Sequence, residues 1–200
     1  MKIPRHLVLA GALALVFAMP VATLAADDEI PRSTNIQYMD ILELIDRVAK
    51  RTGKQFVVDP RVRADVPLAG MDPAKVDYER LLAVLRVNMF VAVEDGGIVI
   101  VLPDANARQL DVPTYTDLKF KALNDEVVTL VVQAKNACAA QFVPVLRPMM
   151  PQAAHLAAEV QSNSMIISDR ASNARRIAVL FEKLDQATSG KRDCTYKPGS

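Results

Sequence analysis

The chain has 200 residues, 51% of them hydrophobic, with a formal net charge of +1 and two cysteines. That is enough apolar material for one core or two small ones, and too little basic excess for a broad nucleic-acid surface. Two cysteines are not a disulfide framework, although in an oxidising compartment a pair can bridge.

Residues 1–25 read as a cleavable export signal. Lys2 and Arg5 form a short basic region, Leu7 to Ala18 an apolar core, and Pro20 breaks the helix. Thr23-Leu24-Ala25 then offers small residues for a signal peptidase, which sets the expected mature start at Ala26 or Asp27. The alternative is an uncleaved anchor, because the run to Ala26 has about the twenty residues needed to span a bilayer. Loss of Lys2 and Arg5 leaves 22 basic residues against 23 acidic ones.

The first module is expected over 30–102. Thr34 to Tyr38 alternates weakly and can open a sheet. Asp40 caps a helix, with Glu43 three residues on to complete a capping box. Ile41, Leu42, Leu44, Ile45, Val48 and Ala49 form its apolar face, and Gly53 supplies a left-handed stop. Gln55 to Asp59 follows as a strand closed by Pro60. Ala64 to Met71 is extended but holds Pro67, which confines it to a sheet edge. A second helix is predicted over Tyr78 to Val87 with Asp77 as its cap. Phe90–Glu94 and Ile98–Leu102 are strands joined by Asp95-Gly96-Gly97, a hairpin signal.

Residues 103–125 read as a connection, with a short strand around Leu118–Phe120. The second module is expected over 126–186, in the order strand–helix–strand–strand–helix. Val127 to Val132 is β-branched and strand-like. Asn136 is placed to cap a helix from Ala137 to about Leu146, although Pro144 conflicts with a helix interior. His155–Val160 and Met165–Ser168 are predicted strands, and Asp169 the cap of a final helix. Arg170, Arg175, Arg176 and Lys183 are expected mostly on that helix's solvent side. Residues 187–200 form a polar tail.

Asp40-Ile41-Leu42 with Thr52-Gly53-Lys54-Gln55-Phe56-Val57-Val58-Asp59-Pro60 resembles the start of the first periplasmic domain of bacterial secretins. Lys135-Asn136-Ala137 with Phe142-Val143-Pro144-Val145-Leu146-Arg147-Pro148 is similar to the first helix of their second, KH-like domain. Ser162 to Asp169 is similar to that domain's second hairpin strand and turn. The resemblance implies an α+β fold of two small modules, a short N-terminal domain of the secretin and TonB-receptor type followed by a βαββα KH-like domain. The chain stops at Ser200, before the further repeats and channel domain of that family, so a short form is expected.

The residues offer little for catalysis. His155 is the only histidine outside the signal and has no nucleophile or orienting acid marked beside it. No His-Glu-x-x-His, Cys-x-x-Cys or phosphate loop is present, so no catalytic residue, metal or other cofactor is assigned. The glycines never take the Gly-x-x-Gly spacing with which KH domains clamp nucleic acid. Met149-Met150 reads as loop packing.

Backbone edges remain as the binding device, because a small sheet can accept a strand from another chain. By resemblance the contact is with a full-length secretin or an inner-membrane platform component of a type II secretion or type IV pilus-like machine. The residues assigned to it are Ile36, Tyr38, Val66 and Leu68, and substitutions at all four are expected to weaken binding with the fold intact. A periplasmic signalling module of the receptor and anti-sigma type is the alternative; it explains the first module only. Cys138 and Cys194 are a possible disulfide that ties the tail to the second module. A homo-oligomer is a further possibility.

Overall fold

The computed structural model describes residues 36–188 and Cys194; the expected signal and most of the polar tail lie outside them. Strand β1 (Ile36–Asp40) leads directly into helix α1 (Ile41–Thr52). The Asp40 carboxylate accepts the backbone N–H groups of Leu42 and Glu43, at 2.7 and 3.3 Å, which explains the sharp start. The expected capping box does not close, because Glu43 turns instead to Arg47 one helical turn on, at 2.7 Å. Gly53 ends the helix at φ 71°, and its N–H returns to the Ala49 carbonyl.

Strands β2 (Gln55–Val58) and β3 (Asp65–Ala69) precede α2 (Tyr78–Val87), which Asp77 caps through the Arg80 N–H. β4 (Phe90–Asp95) and β5 (Ile98–Pro103) form a hairpin whose two linking residues, Gly96 and Gly97, both have positive φ. A two-residue turn of that hand matches the strands' own twist. β3 pairs antiparallel with β1, while β2, β5 and β4 make a separate three-stranded sheet in that order. Both helices bury one face against them, with Ile41, Leu44, Leu81 and Leu85 fully buried.

The connection is more structured than its sequence suggests. A 3-10 turn spans Asp104–Gln109, and β6 (Thr114–Tyr115) runs parallel to β7 (Val127–Gln133). The strand expected at Leu118–Phe120 is absent, since Leu118 and Lys119 form a turn. The cause is aromatic: the Tyr115 and Phe120 rings stack at 4.4 Å and fold the intervening residues back. Arg175 lies 4.3 Å from the Phe120 ring centre and donates to the Phe120 and Ala122 carbonyls. It is therefore a packing residue and not part of a solvent face.

After β7 the expected ten-residue helix is broken up. A 3-10 turn (Ala139–Phe142) leads into α3 (Val143–Leu146) and a second 3-10 turn (Arg147–Met149). Pro144 falls in the first turn of α3, the one place in a helix where its missing N–H costs nothing. Asn136 does not cap it. β8 (His155–Glu159) and β9 (Ser164–Arg170) complete a sheet ordered β6-β7-β9-β8, and α4 (Ala171–Ala187) covers one face. Asp169 lies within β9, one residue before its end, so the cap position of α4 falls to Arg170, whose side chain makes no capping bond.

The fold is α+β, with one core under α1 and α2 and another under α4. A smaller cluster of Val91, Val93, Leu102, Ala107, Val112 and Val127 joins the two, and the described residues pack as one unit. Among the described residues no helix is long and apolar enough to cross a membrane.

Candidate partner-binding edge

The β1–β3 ribbon carries all four residues assigned to partner binding. Its register sets Gln37 opposite Leu68, Tyr38 opposite Pro67 and Met39 opposite Val66. Side chains alternate across a strand, so the two faces differ sharply. Met39, Val66 and Leu68 point into the core, whereas Tyr38 is 65% exposed and Ile36 37% exposed. Val66 and Leu68, at 3% and 2%, offer no side chain to a partner. The expectation that changing them spares the fold is therefore corrected: they are core residues.

The backbone is equally asymmetric. The Ile41 N–H donates to the Ala64 carbonyl at 3.0 Å, which fixes the phase of the antiparallel ladder. Counting back from that bond, Tyr38–Pro67 and Ile36–Ala69 are non-bonded pairs, so their N–H and C=O groups face away from the ribbon. Pro67 has no N–H, and the outer edge of β3 thus lacks a donor at its centre. The outer edge of β1 keeps both donor and acceptor at Ile36 and Tyr38. Among the described residues no strand pairs with either outer edge. β1 is the better acceptor for an added strand, and its exposed Tyr38 is the residue type that anchors interfaces.

Cys138 and Cys194 lie elsewhere, beside the turn that follows β7. They form a disulfide with Cα atoms 5.3 Å apart. The same turn is held by the Asp185 carboxylate, which accepts the N–H groups of Lys135, Asn136 and Ala137 at 2.8, 3.0 and 2.8 Å. Burial pushes that carboxyl's pKa up, but these donors and the Asn136 side chain outweigh it and hold it below the usual value. Asn163, in a left-handed turn at φ 52°, accepts the Ala139 N–H and donates to the Ala134 and Ala137 carbonyls. Nothing in the spacing of Asp185 marked it, because its partners lie about fifty residues away along the chain. His155 is exposed on β8.

Residues 34–101 match the GspD-like N0 domain family, and residues 129–190 match the bacterial type II/III secretion system short domain. The secretin XcpQ of Pseudomonas aeruginosa is 33% identical over 158 residues, covering 78% of this chain and 23% of that protein. The secretin PulD of Klebsiella pneumoniae is 29% identical over 178 residues, 86% of this chain and 26% of the relative. Among solved structures, a Klebsiella pneumoniae type II secretion outer membrane complex matches with a TM-score of 0.66 at 28% identity. That match covers 78% of this chain and 27% of the other. The chain spans about a quarter of the length of these relatives. With both N-terminal domains matched in secretin order, and the fold matched with them, the chain belongs to the bacterial secretin family through that N-terminal region.

Proposed function

We propose that this protein is a non-enzymatic periplasmic component of a type II secretion or type IV pilus-like machine, serving as an accessory or assembly factor. It binds another component through the outer edge of β1, with Tyr38 and Ile36 as side-chain anchors. Its division into a first domain over 30–102 and a second over 126–186 belongs to the same proposal. The observation that carries the reading is the intact β1 edge with an exposed tyrosine, lying in the segment that matches the N0 family. The matching Klebsiella assembly contains PulD, PulS and the PulC HR domain, which supports a partner of the PulC kind. The Cys138–Cys194 disulfide suits an oxidising compartment and supports export.

Calorimetry of the mature protein against the HR domain of its own inner-membrane counterpart tests this. Saturable binding is expected, and Tyr38→Asp should weaken it by about thirtyfold or more if Tyr38 is a hot spot. No binding by the intact protein would remove the proposal.

A further inference from the structure

β4 is an edge strand of the β2-β5-β4 sheet, and its outward carbonyls have no strand partner. The Asp104 N–H donates to the Met89 carbonyl at 3.0 Å, so 89 and 104 are a bonded pair. The next residue, Phe90, therefore turns its own carbonyl to the free edge. Arg170 fills that position from the other domain: its Nη2 donates to the Phe90 carbonyl at 3.2 Å across 80 residues of sequence. Arg170 is only 9% exposed and lies 3.9 Å from the Asp104 carboxylate. It sits opposite Val127 in the β7–β9 ladder, and Val127 is the second domain's buried residue in the joining cluster.

The rest of the junction is thin. Its apolar part is the six-residue cluster, and beside it opens a cleft of about 500 Å3 lined by Arg86 and Met89 on one side and Asn173 and Arg176 on the other. Arg86 reaches Asp125 at 3.2 Å, but without hydrogen-bond geometry, since that carboxylate oxygen has no hydrogen-bond partner. Arg170 is thus the one buried charge whose hydrogen bond crosses the junction among the described residues.

We propose that Arg170 is a latch that fixes the first domain on the second by capping the edge of β4. While it is closed, β4 is unavailable for strand addition and incoming strands are left to other edges. The proposal concerns the free protein and holds or fails whatever partner is bound.

Trypsin reads the latch at Arg108, an exposed residue next to buried Ala107 in the joining cluster. In Arg170→Met the open junction should be about tenfold to a hundredfold more populated, the loss of one charge-assisted hydrogen bond. Cleavage after Arg108 rises by that factor when opening is fast, with circular dichroism unchanged and a larger maximum dimension in X-ray scattering. Arg176→Met should cleave at the wild-type rate, because Arg176 bonds only within its own domain, to Asn173 and the Met149 carbonyl. An unchanged rate in a folded Arg170→Met overturns the proposal. If that variant does not fold, nuclear magnetic resonance of the wild type decides. Guanidinium protons on Arg170 that exchange more slowly than those on Arg176 support the latch, and equal exchange refutes it.

Discussion

Single residues separate binding from folding on the β1–β3 ribbon. Tyr38→Asp should leave the melting curve close to wild type, because its side chain touches mainly solvent. Leu68→Ala, two positions along β3 from Val66, removes a fully enclosed side chain and should cost about 2–5 kcal/mol in denaturant unfolding. The alternation that parts these residues was visible in the sequence, but which parity faced the core was not. That depends on the strand's partner, and the sequence does not name it. Asp185 makes a second residue-scale case. Its carboxylate satisfies three backbone donors, so Asp185→Ala should lose about 2–4 kcal/mol. Its native pKa lies below the ordinary 3.8, so this contribution is complete above that pH and disappears as pH falls through the depressed value. Stability measured from pH 6 downward should therefore drop less steeply in the variant than in the wild type.

At the scale of elements, local signals explain most of what the sequence made legible. Capping aspartates at 40 and 77, the glycine stop at 53 and the Gly96-Gly97 turn act within a few residues, and the helices and hairpin they mark lie where they were read. Elements set by distant contacts were not legible. The Tyr115–Phe120–Arg175 stack replaces a strand with a turn, and Arg170 and Arg175 look like a solvated helix face until their partners are known. The turn after β7 belongs to this second kind. Asn163, Asp185 and the disulfide hold it together, the two cysteines standing 56 positions apart in the chain. Replacing both with serine should lower stability by about 2–4 kcal/mol without abolishing the fold, because the other two tethers remain. Thiol titration of the oxidised native protein should find none free; two free thiols would rule out the bridge, and a dimer lost on reduction would assign it to separate chains.

For the whole molecule, two cores joined by a six-residue apolar cluster carry a β1 edge that is unpaired among the described residues and bears an exposed tyrosine. Family membership places it among secretins, and its service to a secretion machine is the proposal that most needs a direct test. Export belongs to the same scale: N-terminal sequencing of periplasmic protein should begin at Ala26 or Asp27, whereas an intact Met1 on membrane-bound protein would mean an anchor. The most direct measurement is photo-crosslinking in the living cell, with a benzophenone amino acid in place of Tyr38. The expected result is a single major adduct with a secretin, platform or pilus-assembly protein, absent when the probe replaces Val179 on the exposed side of α4. No such adduct from Tyr38 or Ile36, with the protein folded and in the periplasm, would contradict the β1 edge as the binding site.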